Sequence, residues 1–286
     1  MSKPTVEVSS TVADLRARVA RWRKAGEQVA LVPTMGALHD GHLALVRQGR
    51  AKACRTVTSI FVNPAQFAPT EDFDKYPRTF EDDLAKLATV DCDLVWAPGK
   101  AEMYPDGFAT RVVPAGAAQG LETDFRPHFF GGVATVCCKL FMQVGADFAV
   151  FGEKDYQQLA VIRQMVRDLN LPIQIIGAET VRESDGLAMS SRNRYLSADE
   201  RARAVVVPQV VARVAAAARN GGHSAAIEAG KRALDQAGFG PIDYIAVRDA
   251  LTLGDWTPGS GRPGRVLLAA WLGKTRLIDN LAVPPM

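Results

Sequence analysis

Short apolar runs alternate with stretches of helical periodicity over the first two-thirds of the chain. Runs of strand length, rich in apolar and β-branched residues, predict buried strands over 28–34, 55–63, 92–98, 146–152 and 172–180. Apolar residues recur at helical spacing over 11–26, 42–53, 79–90, 132–144 and 156–170. Strands that alternate with helices are typical of a parallel sheet with right-handed crossovers. We therefore predict an α/β fold whose first domain, residues 1–180, is a Rossmann-like, doubly wound parallel sheet.

The pattern changes after residue 180 and predicts a second, smaller C-terminal α/β domain over 181–286. Ser197 suits the N-cap of a helix that begins at residue 198, and Pro208 is expected to kink or split that helix. A further helix is predicted over 224–238, and strands are predicted over 242–249, 265–273 and 275–283. The polar segment VRESDG, residues 181–186, is the predicted hinge between the two domains.

Composition and charge narrow the class of protein. Of the 286 residues, 48% are hydrophobic and 23% are charged, as in an ordinary globular protein. No apolar stretch approaches the ~20 residues that span a bilayer, and the N-terminus lacks the layout of a secretion signal. We therefore expect a cytoplasmic protein with no membrane partner. The net charge is +3 and the basic residues are scattered among acids, so no nucleic-acid partner is expected, although a local phosphate site is compatible. The four cysteines show neither metal-ligand spacing nor a disulfide framework.

Two of the four histidines lie where a predicted strand gives way to a helix, in LVPTMGALHDGHLALV, residues 31–46. His39 and His42 are three residues apart, so they can share one face of a helix. Gly41 allows a ligand to approach the backbone, and a helix N-terminus offers N–H groups that suit a phosphate chain. The alternatives are that the histidines cap the helix or are exposed by chance. A metal site would need a third ligand, which the neighbouring sequence does not supply.

The stretch PTMGALHDGH resembles the H-x-G-H signature of the nucleotidyltransferase superfamily. More specifically, four blocks resemble the pantoate–β-alanine ligase (pantothenate synthetase) family: PTMGALHDGHLALV, SIFVNPAQFAPTEDFDKYPRT, FGEKDYQQLAVIRQMV and DGLAMSSRNRYLS. TRLIDN near the end of the chain matches as well. The resemblance implies that ATP condenses pantoate with β-alanine, giving pantothenate, AMP and pyrophosphate through a pantoyl-adenylate intermediate. It also implies Mg²⁺ as a second cofactor and a homodimer in which the C-terminal domain forms a lid or contributes to the dimer.

The resemblance also carries residue roles onto this chain. It implies catalytic roles for His39, His42, Lys154 and Arg192. It implies ATP contacts for Pro33, Thr34, Met35, Gly41, Gly152, Lys154, Asp155, Val181, Met189, Ser190, Ser191 and Arg192. It implies contacts with pantoate or β-alanine for Asn63, Gln66, Tyr76, Arg126 and Gln158. The family's acidic pair associated with magnesium corresponds to Asp82 and Asp83.

The residue types suit that chemistry. Attack of a carboxylate on the α-phosphate brings two anions together, so the site needs positive charge and oriented donors more than a protein nucleophile. The neutral amides of Asn63 and Gln66 can bind pantoate without adding charge. Bland alternatives stay open for some residues. Gln158 also fits an exposed helical glutamine, and Asp82 and Asp83 also fit acids favoured in the first turn of a helix.

One block departs from the family pattern, and two other functions remain alternatives. The usual R-P-x-H-F-x-G-V is replaced by RPHFFGGV, residues 126–133, which puts Phe129 at the histidine position and His128 one residue early. The histidine role is therefore not transferred. Another H-x-G-H nucleotidyltransferase would need a cationic pocket for a second phosphate, whereas FVNPAQF is neutral. A non-catalytic nucleotide-binding module would bind ATP without turnover.

Overall fold

The computed structural model describes residues 6–68 and 73–285. The strands within these ranges are β1 (Glu7–Ser9), β2 (Val29–Thr34), β3 (Arg55–Ile60), β4 (Leu94–Trp96), β5 (Phe148–Gly152), β6 (Gln174–Ala178), β7 (Phe239–Asp249), β8 (Gly264–Leu272) and β9 (Thr275–Ala282). The α-helices are α1 (Val12–Lys24), α2 (Asp40–Lys52), α3 (Phe80–Ala88), α4 (Lys100–Met103), α5 (Glu122–Phe125), α6 (Phe129–Val144), α7 (Tyr156–Asp168), α8 (Ala198–Arg203), α9 (Val206–Ala218) and α10 (His223–Gln236). Short 3-10 helices cover Pro64–Gln66, Gly116–Ala118, Glu153–Asp155 and Ser191–Tyr195. Over the described ranges, the helices are all too short or too polar to cross a membrane.

The chain divides into two compact units. The first comprises the segment that ends at Ala115 together with Arg126–Gly152 and Val161–Ala178. The second comprises Gly116–Phe125, Glu153–Ala160 and the chain from Glu179 onward. The predicted boundary at residue 180 lies next to Glu179. The segments Gly116–Phe125 and Glu153–Ala160 also belong to the second unit, which was not predicted. One reason is the ion pair between Glu122 and Arg276, 2.8 Å apart, which fastens Gly116–Phe125 to β9.

The first unit contains the predicted parallel sheet, in the strand order β1-β4-β3-β2-β5-β6. Its centre is β2, where Leu31 is the register partner of both Val57 in β3 and Ala149 in β5. From there the chain order runs outward to β3 and β4 on one side and to β5 and β6 on the other. Ligands of open α/β sheets bind beyond the carboxyl ends of the strands at such a switch point. The predicted α/β class with a parallel sheet is confirmed.

Burial explains why these strands form. Val29, Ala30, Leu31 and Val32 of β2 are all fully buried, as expected for a central parallel strand covered on both faces. The α2 helix contributes Leu43 and Val46 to the same core, because residues three and four apart share one helical face. The edge strand β1 was not predicted, since its three residues Glu7–Ser9 carry no apolar run.

The second unit contains a three-stranded antiparallel sheet in the order β7-β8-β9. Its core is formed by the valines of α9 and by the buried face of β8. Ser197 caps α8 as predicted: its hydroxyl accepts the Glu200 N–H, and the Glu200 carboxylate accepts the Ser197 N–H at 2.8 Å. The predicted break at Pro208 is also found, because α8 ends at Arg203 and the proline occupies the first turn of α9.

Candidate active site

The loop after β2 carries the two histidines and is tightly held within the first unit. Thr34, the last residue of β2, donates its hydroxyl to the Ser59 carbonyl at 2.7 Å and accepts the Gly36 N–H at 3.2 Å. Gly36 has a φ of +83°, which glycine tolerates without strain. A Cβ at this position would lie 3.1 Å from an Asp83 carboxylate oxygen, so the position favours glycine for space as well. The backbone conformation next to Pro33, Thr34 and Met35 is therefore fixed by these contacts.

Asp83 is the main support of this loop. Its side chain is 1% exposed, and its two oxygens accept the backbone N–H groups of Ala37 at 2.9 Å and Leu38 at 2.8 Å. The Thr79 hydroxyl donates to the same carboxylate at 3.2 Å. One turn along α3, Lys86 donates to the Leu38 carbonyl at 2.8 Å. Hydrogen bonds to a charged group are stronger than neutral ones, so α3 fixes the loop immediately before His39.

His39 and His42 are brought together at the start of α2. His39 is the N-cap residue, and Asp40 and Gly41 begin the helix. The two imidazole ring centroids are 4.0 Å apart, and Nδ1 of His42 accepts the His39 backbone N–H at 3.3 Å. Both side chains are half-buried. The first turn of an α-helix leaves backbone N–H groups without intrahelical partners, so this end of the helix presents oriented donors and a positive dipole.

Asp82 and Asp83, the predicted magnesium pair, have different surroundings in the structure. Asp82 is exposed, whereas both Asp83 oxygens are directed at backbone N–H donors. Adjacent helical positions point in directions about 100° apart, so the two carboxylates do not converge. Among residues 6–68 and 73–285, no group of three or more His, Cys, Asp or Glu side chains could hold a metal ion. The predicted metal role stays a prediction, and the structure favours a loop-holding role for Asp83.

Asn63 and Gln66 lie together beyond the end of β3. Asn63 is 1% exposed, and its Oδ1 accepts the Tyr104 hydroxyl at 2.8 Å and the Ala65 N–H at 3.2 Å. Its Nδ2 donates to the Gln66 Oε1 at 3.1 Å and to the Gly132 carbonyl at 3.2 Å. These four bonds use the whole capacity of an asparagine amide. Asn63 therefore orients the Gln66 side chain, which is itself buried at 8% exposure. The predicted pantoate contacts of both residues stay predictions.

Gln66 also links the β2 loop to the segment before α6. Its Nε2 lies 3.1 Å from the Met35 sulfur, and its carbonyl accepts an Arg126 N–H at 3.2 Å. The Arg126 guanidinium stacks 3.9 Å from the centre of the Phe129 ring. Phe129, which replaces the expected histidine, therefore supports Arg126, while His128 is exposed at the start of α6.

Tyr76 packs against the loop that follows β2 and is buried. It is 5% exposed and packs in a small apolar cluster with Ala37 and Phe67. Its ring meets the Phe67 ring edge-on, with centroids 6.1 Å apart. The structure therefore shows Tyr76 as part of the packing that supports the loop, and its predicted substrate contact stays a prediction.

The second unit holds the predicted ATP contacts after Gly152, beginning with Lys154 and Asp155. Lys154 and Asp155 lie in the 3-10 turn that follows Gly152, and their charged groups are 3.8 Å apart. Lys154 keeps only 19% of its side chain exposed, whereas Asp155 keeps 49%. Gln158 is half-buried on α7, one residue after the buried Gln157.

Gln157 is a structural residue that sequence reasoning missed. Its side-chain oxygen accepts the Glu122 N–H at 3.0 Å. Its amide N–H groups donate to the carbonyls of Ala117 at 3.1 Å and Gly120 at 3.2 Å. These bonds tie Gly116–Phe125 to the start of α7. The adjacent pair of glutamines in YQQL gave no signal that would separate a structural residue from a ligand-binding one.

The segment that carries Val181, Met189 and Ser190 to Arg192 folds back on itself. The Met189 N–H donates to the Val181 carbonyl at 3.0 Å. Ser190 caps the following 3-10 helix, because its hydroxyl accepts the Arg192 N–H at 3.2 Å. Ser191 and Arg192 begin that helix and are half-buried. The predicted ATP contacts in this segment are thus gathered on one short, ordered turn of the second unit.

Comparisons with known proteins match the chain over nearly its whole length. The family model described as pantoate-beta-alanine ligase matches residues 7–282. Pantothenate synthetase of Mesorhizobium japonicum is 58% identical over 285 residues, covering 99% of this chain and 99% of that protein. Among solved structures, pantothenate synthetase from Thermus thermophilus is 47% identical with a TM-score of 0.89, covering 98% of this chain and 100% of that one. A pantoate-beta-alanine ligase from Francisella tularensis, solved in complex with beta-gamma ATP and beta-alanine, is 29% identical with a TM-score of 0.82 and covers 97% of each chain.

Proposed function

The chain belongs to the pantoate–β-alanine ligase family, and from that premise we propose how its residues carry out the reaction. The protein is an ATP-dependent ligase that condenses pantoate with β-alanine to give pantothenate. The finer proposal is that the condensation proceeds in two steps through pantoyl adenylate. The structural observation that carries it is the His39–His42 pair at the start of α2, next to the switch point between β2 and β5.

In the first step a pantoate carboxylate oxygen attacks the α-phosphorus of ATP. A new O–P bond forms, the bond to the bridging oxygen breaks, and pyrophosphate leaves. His39, His42 and the first N–H groups of α2, including that of Gly41, stabilise the negative charge that builds up on the α-phosphate oxygens. Because the Asp83 carboxylate locks the preceding loop, these donors are already oriented before ATP binds.

Lys154 and Arg192 neutralise the phosphate chain in this proposal. Ser190 and Ser191 donate to the β- and γ-phosphates, and Asp155 accepts hydrogen bonds from the ribose hydroxyls. Pro33, Thr34, Met35, Gly152, Val181 and Met189 supply the surrounding backbone and apolar contacts with ATP. The support is the residue chemistry, together with the capped turn that holds Ser190 to Arg192.

Pantoate binding is assigned to neutral amides and one cation. Gln66, oriented by Asn63, and Gln158 bind the hydroxyl and carboxylate groups of pantoate, while Arg126 and Tyr76 contribute to pantoate or β-alanine binding. In the second step the β-alanine amine attacks the acyl carbon of the adenylate. A C–N bond forms, the C–O bond to the phosphate breaks, and AMP leaves with that oxygen. The amine proton passes to solvent or to a phosphate oxygen.

Of the predicted pair, Asp82 would be the residue that holds Mg²⁺ beside the ATP phosphates, and the ion would supply positive charge there. Asp82 is the exposed carboxylate of the predicted pair. Asp83 is assigned to the loop instead, because its oxygens already accept two N–H groups. We also propose that the protein acts as a cytoplasmic homodimer.

The test is an AMP-release assay with pantoate and β-alanine omitted in turn. The proposal predicts sustained AMP release only when ATP, pantoate and β-alanine are all present, with pantothenate formed in equal amount. It also predicts that pyrophosphate appears in a single turnover with ATP and pantoate alone. Release of ADP, or formation of a dinucleotide-like product, would overturn it.

A further inference from the structure

Two consecutive buried residues of β9, Asp279 and Asn280, hold the two segments of the second unit to which ATP binding is assigned. We infer that Asn280 is a positioning residue for the turn Glu153–Asp155, and that Asp279 is one for the segment that begins at Arg182. The inference rests on the proposed function, since it presumes that Lys154 binds ATP. Asp279 and Asn280 are 2% and 3% exposed, so neither is placed to touch a ligand directly.

The side-chain amide of Asn280 is bound to the backbone of the phosphate-binding turn. Its Nδ2 donates to the Glu153 carbonyl at 2.9 Å and to the Lys154 carbonyl at 2.7 Å. A single side chain therefore satisfies two successive carbonyls where the chain leaves β5. Glu153–Asp155 is a single 3-10 turn, whose own hydrogen bonds have poorer geometry than those of an α-helix, so the Asn280 contacts add support to the Lys154 backbone.

The orientation of the Asn280 amide is fixed by Arg265. The Arg265 Nε donates to the Asn280 Oδ1 at 2.8 Å, and its Nη2 donates to the Glu153 carboxylate at 3.0 Å. The same guanidinium stacks 4.0 Å from the centre of the Tyr156 ring. Arginine can only donate and a backbone carbonyl can only accept, so a flipped amide would mismatch all three partners. Arg265 thus holds the turn through the Glu153 carboxylate and the Asn280 amide, and it packs on Tyr156 directly after the turn.

Asp279 plays the corresponding part for the second segment. Its carboxylate makes a bidentate pair with Arg182, at 2.8 Å and 2.9 Å. Arg182 also donates to the Gly186 carbonyl at 2.9 Å, and its backbone forms an antiparallel bridge with Ala188. Both contacts close the turn formed by residues 182–188. That turn leads directly into Met189 and the capped helix after it. Bidentate arginine–carboxylate pairs fix geometry as well as charge.

Neighbouring positions of one strand therefore set the backbones of both segments. The spacing between them is determined by β9, which is itself paired along its length with β8. Both donors of the Asn280 side-chain amide bind carbonyls of that turn, and its oxygen binds Arg265, which also holds Glu153. We therefore expect a change in the Asn280 side chain to act on ATP through Lys154. This makes the inference separable from a general loss of stability.

The experiment is a double-mutant cycle of Asn280→Ala with Lys154→Ala, measured on the ATP dissociation constant and on kcat/KM for ATP. In the wild-type background, we expect Asn280→Ala to raise the ATP dissociation constant and to lower kcat/KM for ATP, each at least about 10-fold. When Lys154 is already alanine, each change should be less than about 2-fold. Asn220→Ala, an exposed asparagine on the same unit, is the matched control and should change neither. Asn280→Asp keeps the volume and the Arg265 contact while removing both donors, so it should reproduce the effect if Asn280→Ala fails to fold.

The outcomes separate the two proposals. Equal losses from Asn280→Ala in both backgrounds would show a merely structural role and overturn the inference, as would unchanged ATP binding. If the wild-type protein binds ATP but forms no pantothenate, the proposed function fails, while the cycle on the ATP dissociation constant still decides the role of Asn280. Thermal melts of all variants show whether a loss of kcat/KM reflects unfolding.

Discussion

Nδ1 of His42 accepts a hydrogen bond from the backbone N–H of His39 at 3.3 Å, while the two imidazole rings lie 4.0 Å apart. A ring nitrogen that accepts a hydrogen bond carries no proton, so we assign the proton of neutral His42 to Nε2. The helix cap therefore selects the tautomer that offers a donor from the far side of the ring. His42 therefore has two roles: it stabilises the start of α2, and in the proposed mechanism it supplies a donor for phosphate.

Replacing His42 tests that assignment. His42→Ala should slow formation of pantoyl adenylate in a single turnover by at least ~100-fold, the usual cost of losing one oriented donor. His42→Gln places an amide near the Nε2 position, and His42→Asn places one near Nδ1. The Gln variant should therefore retain more activity than the Asn variant. The reverse order, measured by rapid quench with ATP and pantoate, would contradict the assigned tautomer.

Asp83→Asn separates loop support from metal binding. An amide cannot accept from both Ala37 and Leu38, so the loop should loosen, with a loss of roughly 2 kcal/mol of folding free energy. We expect kcat to fall at least about 10-fold while the Mg²⁺ concentration for half-maximal activity stays unchanged. Glu81→Gln, at another exposed acid in the first turn of α3, is the control. A raised Mg²⁺ requirement in Asp83→Asn, with normal stability, would restore the metal role.

Two adjacent glycines of α6 should respond to alanine in opposite directions. A Cβ on Gly132 would lie 2.2 Å from the Ala65 carbonyl oxygen, whereas on Gly131 its nearest neighbour is 4.0 Å away. Gly131→Ala should stabilise the helix by roughly 0.5–1 kcal/mol, and Gly132→Ala should destabilise the protein by about 1–3 kcal/mol. Gly132→Ala should also raise KM for pantoate, because Gly132 packs on the Asn63–Gln66 turn. Denaturant unfolding that gave both variants the same sign would refute this packing.

Tyr104 gives a prediction for alkaline pH. Burial, with the neighbouring Cys137 adding to it, raises the pKa of Tyr104 to about 12, against about 10 in an unfolded chain. The folded state holds this proton more tightly, so the contribution to stability is complete below pH about 10 and is lost as the pH rises through about 12. The ultraviolet tyrosinate titration of wild type minus Tyr104→Phe should show its step near pH 12. A step near pH 10 would mean that the hydroxyl bound to Asn63 is open to solvent.

The sequence predicts most of the fold, because the signals involved are local. Apolar and β-branched runs identify β2 to β6 of the parallel sheet. The cap at Ser197 and the break at Pro208 are found where the side-chain chemistry requires them. The strand β1 is missed because three residues at a sheet edge need no apolar run. The membership of Gly116–Phe125 in the second unit is missed because it depends on an ion pair between residues 154 positions apart, Glu122 and Arg276.

Only those parts of the site that belong to sequence motifs are predictable. The histidine pair and the MSSRN turn are legible in the sequence, and the structure finds both at ordered helix starts. The supporting contacts are not legible, since Asp83, Gln157 and Asn280 act on backbone groups that are distant in the chain. An acid in the first turn of a helix looks the same whether it faces solvent, as Asp82 does, or a loop, as Asp83 does. Only packing decides between them.

The central claim is that the pantoate carboxylate attacks the α-phosphorus of ATP, and isotope transfer tests it most directly. Pantoate labelled with oxygen-18 in its carboxylate is turned over with ATP and β-alanine, and the products are analysed by mass spectrometry. If the carboxylate attacks the α-phosphorus, each AMP formed carries one labelled oxygen and pyrophosphate carries none. Unlabelled AMP, or label found in inorganic phosphate, would contradict the claim.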